Sequence, residues 1–163
     1  FFREVFDGVA KHYPAMTADH AYVDATALWM VEKPWIFDVM VTENMFGDIL
    51  SDLGAGLMGG LGLAPSADIG HDHAVFQPCH GSAPDIAGKG VANPFAMILS
   101  AAMMLDWLGT KHNMAQMVTD GQVLRDAVYQ VVADGNTLTR DLGGNSGTEA
   151  AANAVLDQIM TKA

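Results

Sequence analysis

Apolar residues recur at three- and four-residue spacing through most of this chain, and the interruptions fall on Pro and Gly. Phe2, Val5, Phe6, Val9 and Ala10 form one stripe, which predicts an amphipathic helix ended by Tyr13-Pro14. Ala18 to Val23 alternates loosely and predicts a short strand. Asp24 stands where an N-cap would, before a helix over Ala25 to Lys33 that Pro34 stops. Phe37 to Thr42 is a β-rich apolar run and predicts a buried strand. Asn44 is placed to cap a helix running to about Leu57.

Gly54, Gly56, Gly59, Gly60 and Gly62 then crowd together, which marks a hinge or domain boundary. Pro65-Ser66 continues an irregular segment to Gly70. Ala74 to Phe76 predicts a short strand that feeds a loop around His80. A long apolar helix follows Pro94, a favoured first-turn residue, and runs to about Leu108. Another covers roughly Asn113 to Ala133. Gly143 to Gly147 predicts a loop, and Thr148 is placed to cap a last helix to Met160. Strand and helix signals alternate, so the fold class is α/β.

Composition narrows the function. Half of the 163 residues are hydrophobic and 17% are charged, which is a globular balance. The net charge of −11, with only eight Lys plus Arg, argues against nucleic-acid binding. An acidic surface repels anionic ligands at long range, so an anionic substrate needs a locally supplied positive charge. One cysteine, Cys79, allows no internal disulfide and points to a reducing, cytoplasmic compartment. No apolar run reaches the roughly 18 residues of a membrane-spanning helix, and none is expected. The start at Phe1-Phe2, mid-helix and without an initiator Met, reads as part of a longer protein.

Against that background two groups of residues carry chemistry. Asp48 and Asp52 are four apart on a helix, about 40° from each other around its axis, so both carboxylates leave one face. A cation between them would relieve their repulsion, and Mg²⁺ or Mn²⁺ accepts one or two carboxylates plus water and substrate oxygens. A lone D-x-x-x-D is more often a solvated face. Here Phe46, Ile49, Leu50 and Leu53 flank the pair and predict a mostly buried helix, where carboxylates require a partner. Asp24 is a possible third ligand.

The second group is His80 to Asn93. It lacks GxGxxG, but Gly81-Ser82, Pro84-Asp85, Gly88 and Gly90 leave many backbone N–H groups unspent, and Asn93-Pro94 opens a helix. Asp85 can accept hydrogen bonds from a ribose diol and would disfavour a 2′-phosphate. A connecting loop with a structural His80 is the plainer reading. Cys79 beside His80 hints at a nucleophile pair, yet neighbouring side chains point apart and no orienting third group is evident. His71 and His73 flank Asp72 in a segment that reads as surface. The eleven Met residues read as core fillers.

Five segments, Asn44–Asp52, Gly60–Gly70, His80–Pro94, Ile98–Gly109 and Asp141–Ala150, resemble the β-decarboxylating dehydrogenases, in register along the whole chain. The closest likeness is to the isopropylmalate dehydrogenases. The resemblance implies a partial fold of that type, its C-terminal half, with two lobes flanking a cleft. Residues 1–58 would belong to the smaller, dimer-forming domain and 59–163 to the larger cofactor domain. It further implies a divalent metal, Mg²⁺ or Mn²⁺, on Asp48 and Asp52, with Asp24 supplied across a homodimer that shares its active site. His80, Gly81, Ser82, Ala83, Asp85, Ile86, Ala92 and Asn93 would bind NAD, since Asp85-Ile86 is the pair found in NAD-using relatives. The catalytic Lys and Tyr of the family would lie before Phe1. Two departures stand out: Gln77 where Glu is usual, and an acidic Glu43 beside the metal helix.

The implied reaction is oxidation at C2 of a 2-hydroxy dicarboxylic acid, followed by loss of the C3 carboxylate. The isopropylmalate type is the leading substrate. Tartrate, D-malate and isocitrate types are alternatives, as is a non-catalytic fragment that binds nucleotide or metal and dimerises. A metal-dependent phosphoryl-transfer enzyme would need a P-loop or base that is not seen.

Overall fold

The apolar stripes of the second half of the chain become helices packed on one another. In the computed structural model, which describes residues 1–162, the chain divides into two compact units, Phe1–Leu53 and Gly54–Ala163.

The first unit holds helix α1 (Phe2–Ala10), helix α2 (Val23–Glu32) and most of helix α3 (Asn44–Leu57). Its interior is small: Thr26, Met30 and Leu50 are its buried residues. The Thr26 hydroxyl donates to Tyr22 O at 2.9 Å, so the buried polar group is satisfied. A concavity of about 710 Å³ is lined by Phe2, Phe6, Val9, Tyr22, Phe37 and Phe46.

Neither predicted strand of this unit forms. Residues 18–22 and 37–43 have no ladder partner among the described residues. Single residues are extended, Tyr22 at φ −82, ψ 143 and Phe37 at φ −103, ψ 120, but the chain bends at Asp38. Nor is the second segment buried, with Val39 90% exposed. The expectation failed because a strand needs a neighbour for its N–H and C=O groups, and a local apolar or alternating pattern does not supply one.

The second unit begins with the end of α3. Strand β1 (Pro65–Ile69) pairs antiparallel with strand β2 (Ala74–Pro78), from Pro65 opposite Pro78 to Ile69 opposite Ala74. The segment from Pro65 is therefore a strand rather than irregular chain. Pro65 is its first residue, a position where a missing N–H is tolerated. Gly70 N donates to His73 O at 2.9 Å and closes the hairpin. The Lys111 ammonium donates to the carbonyls of His71 and Asp72 at 2.8 and 2.7 Å, which ties the hairpin tip to helix α4 (Phe95–Lys111).

Helices α4, α5 (Ala115–Asp134) and α6 (Thr148–Lys162) supply most of the core. Phe95 and Leu99 meet Ala127, Val128 and Val131 of α5 and Ala151 and Val155 of α6, with Leu63 beside them. Each set repeats at the spacing of one helical face. Ser100 is fully buried and donates to Ala96 O at 2.9 Å.

Arg125 of α5 forms an ion pair with Asp106 of α4, and that hydrogen bond holds the guanidinium pKa above its ordinary value. The helices approach closely there because Gly121 has no side chain. A methyl at Gly121 would lie 2.7 Å from Asp106 Oδ1 and 2.9 Å from Ala102 O. Gly121→Ala should therefore cost about 1–3 kcal/mol of stability, read as a lower urea midpoint with an unchanged slope.

Candidate functional site

The residues predicted to hold a metal all lie in the first unit. Asp48 and Asp52 are both exposed and one turn apart on α3. The expected burial of this helix is not found: Ile49 is 56% exposed, and of its residues within the unit only Leu50 is buried. The stripe at Phe46, Ile49, Leu50 and Leu53 records an apolar face that is only partly covered: Leu50 is buried and Leu53 half-buried, while Phe46 and Ile49 are exposed.

Asn44 does not cap α3. It is the first helical residue, and its amide donates to Asp48 Oδ2 at 3.0 Å. The cap is Glu43, whose carboxylate accepts from the N–H groups of Met45 and Phe46 at 3.2 Å each. The unexpected acid beside the pair thus has a local structural role, satisfying orphan donors at the helix start.

Asp24 is likewise not an N-cap. Tyr22 holds that position, and Asp24 sits in the first turn of α2 with its carboxylate accepting from Ala25 N at 2.8 Å. Among the described residues no group of three His, Cys, Asp or Glu side chains converges, so Asp24 does not join Asp48 and Asp52 within one chain. No Lys or Arg among the described residues is ion-paired with any of the three. Two exposed carboxylates on one helical turn without a cationic partner suit a hard divalent cation that completes its shell with other oxygens.

The predicted ligand loop lies in the second unit, and β2 delivers it. Cys79 N donates to Ala64 O at 3.1 Å and anchors the entry. Residues 81–90 are all exposed. Pro84–Ile86 forms a single 3₁₀ turn, preceded by Ala83 in the left-handed region at φ 44. Gly88 and Gly90 follow at φ 74 and 62, where glycine is favoured. His80 Nδ1 lies 2.9 Å from Gly81 O. The N–H groups of Gly81, Ser82, Ala83, Asp85, Val91 and Ala92 have no acceptor among the described residues. Exposed amides around an exposed Asp85 carboxylate fit the adenosine half of a dinucleotide.

At the exit, Asn93 is fully engaged. Its Oδ1 accepts from Phe95 N at 2.9 Å and its amide donates to Asp141 Oδ2 at 2.9 Å. Asp141 also accepts from the buried Thr139 hydroxyl at 2.6 Å. Thr148 does not cap α6 as predicted. Its hydroxyl donates to Ala92 O at 2.5 Å and its N–H to Gly90 O at 2.8 Å. These supports lie 48 and 56 residues away in sequence, beyond any local signal.

The remaining candidates are not assembled. Cys79 Sγ donates to Pro65 O at 3.6 Å and the His80 ring turns to Gly81 O, so they form no nucleophile–base pair. His71, Asp72 and His73 are exposed at the hairpin turn.

A family model described as isocitrate/isopropylmalate dehydrogenase matches residues 1–159. A homoisocitrate dehydrogenase of Methanocaldococcus jannaschii is 50% identical over 161 residues, 99% of this chain and 44% of the relative. A 3-isopropylmalate dehydrogenase of Archaeoglobus fulgidus is 51% identical over 154 residues, 94% of this chain and 45% of the relative. The crystal structure of an isocitrate dehydrogenase from Methylococcus capsulatus superposes with a TM-score of 0.87 at 47% identity, over 97% of this chain and 45% of that one. The mostly helical units with their small sheet are thus a partial α/β fold of this type. The chain belongs to the isocitrate/isopropylmalate dehydrogenase family. It spans less than half the length of the relatives it matches.

Proposed function

We propose that this chain is part of a cytoplasmic, NAD-dependent dehydrogenase. It oxidises a 2-hydroxy dicarboxylic acid of the isopropylmalate type and removes its C3 carboxylate with the help of Mg²⁺ or Mn²⁺. The observation that carries the reading is the pair Asp48 and Asp52, exposed on one helical turn with no Lys or Arg among the described residues ion-paired to them, in a chain of this family.

In this reading Asp48 and Asp52 hold the cation, and Asp24 reaches it from the second subunit of a homodimer. The bound cation supplies Lewis-acid polarisation of the substrate oxygen and offsets the charge of the acid. The loop of His80, Gly81, Ser82, Ala83, Asp85, Ile86, Ala92 and Asn93 seats the adenosine half of NAD. Asp85 accepts from the ribose hydroxyls and repels a 2′-phosphate. Residues 1–58 act as the dimer-forming domain and 59–163 as the cofactor domain. The groups that move protons come from outside this chain.

Turnover of the intact protein with isopropylmalate, isocitrate, tartrate and malate, in the presence of NAD and Mn²⁺, tests the reading and ranks the substrates. Silence on all four overturns it. The cofactor assignment has its own check. Asp85→Lys should weaken NAD binding roughly 10- to 100-fold and improve NADP binding, measured by fluorescence titration. Because the chain spans less than half its relatives' length, a second reading is a fragment that binds nucleotide or metal without turnover. Calorimetric titration of this chain with NAD and Mg²⁺ that gives binding but no catalysis favours it.

A further inference from the structure

The exposed loop of residues 81–90 has few internal hydrogen bonds, and those it makes lie within its 3₁₀ turn and the bend after it. A loop of this kind keeps a ligand-ready shape only if something outside it fixes its ends. The entry is fixed by the hairpin through Cys79 N and Ala64 O. The exit is fixed from the start of α6. Thr148 is the first residue of that helix, so its N–H has no partner within the helix. It is spent on Gly90 O at 2.8 Å, while the Thr148 hydroxyl is spent on Ala92 O at 2.5 Å. One residue thereby grips two carbonyls of the loop, two residues apart.

The neighbouring glycine permits this approach. A methyl at Gly147 would lie 2.8 Å from Gly90 O, closer than two such atoms can sit. The carbonyls of Gly90 and Ala92 are held in this way, while the N–H groups of Val91 and Ala92 beside them have no protein acceptor among the described residues. Those donors belong to the part of the loop proposed to meet the cofactor.

We infer that Thr148 is a positioning residue for the cofactor, acting through the carbonyls of Gly90 and Ala92 rather than by touching the ligand. The inference rests on the NAD reading of the loop. Its test uses the intact protein and three variants. Thr148→Val keeps the shape and removes the hydroxyl, Thr148→Ser restores the hydroxyl, and Gly147→Ala attacks the same junction from the adjacent residue.

Thr148→Val and Gly147→Ala should weaken NAD binding about tenfold, raising KM for NAD more than they lower kcat. Mn²⁺ affinity should stay near wild type in both and the thermal midpoint in Thr148→Val, whereas Gly147→Ala should also lower the midpoint through its clash with Gly90 O. Thr148→Ser should bind NAD within about twofold of wild type. NAD affinity unchanged in Thr148→Val overturns the inference. So does a Thr148→Ser defect as large as that of Thr148→Val, or an equal loss of Mn²⁺ affinity. A wild-type protein that does not bind NAD overturns the loop assignment itself, which separates the two failures.

Discussion

Phe95→Ala should lower the stability of the second unit by about 3–5 kcal/mol, the range for emptying a fully buried aromatic site. Phe95 is 0% exposed and is among the largest fully buried side chains. It is also the first residue of α4, so its ring enters the core where the candidate cofactor loop ends. Leu99, Val128, Val131, Ala151 and Val155 share its cluster, and three helices would have to shift together to fill the space. Partial collapse is therefore the expected response, and the lost transfer energy and the residual cavity add. Phe95→Leu keeps most of the volume and should cost about 1–2 kcal/mol. Trp107 lies in this unit and Trp29 and Trp35 in the other, so Trp107 fluorescence with the other two replaced by Phe follows the right transition. A urea midpoint unchanged by Phe95→Ala would place the core elsewhere.

The helices that build this core were legible because helical burial leaves a local trace. Residues 95, 99 and 102 of α4 and 128 and 131 of α5 are buried, at the three- and four-residue steps that the sequence displays. Sheet structure was less legible. Pro65, Ser66 and Gly70 read as punctuation, yet Pro65 opens β1 because the first position of a strand needs no donor. Phe37 to Thr42 read as a strand, but the chain bends at Asp38 and the segment has no ladder partner among the described residues. The same division holds for the candidate site. The spacing of Asp48 and Asp52 and the Gly-Pro punctuation of the loop are properties of short segments. Caps are competitions between neighbours, and at α3 Glu43 takes the donors that Asn44 was expected to take. The grip of Thr148 on Ala92 joins residues far apart in sequence and becomes visible only in three dimensions.

Asp48→Asn should cut turnover of the intact protein on the order of 100-fold or more and weaken Mn²⁺ binding at least about tenfold, if the pair holds the cation. The substitution removes one unit of charge from the site. It keeps the side-chain shape and an oxygen that can still accept from Asn44, the contact observed at 3.0 Å. The effect on folding should have the opposite sign. Two like charges at i and i+4 oppose the helix by about 0.2–0.5 kcal/mol, and Asn relieves that repulsion. A structural role for Asp48 would instead lower stability together with activity. Weaker metal binding beside equal or higher thermal stability is thus the signature of a ligand, and Mn²⁺ titration by electron paramagnetic resonance reads it without turnover. Asp157→Asn, at an exposed carboxylate on α6, removes the same charge from a different helix and should leave Mn²⁺ affinity within about twofold of wild type, since a solvent-exposed charge that does not ligate the cation acts on it only through water and salt. Equal losses in the two variants would mean that net charge, rather than the paired aspartates of α3, governs the cation.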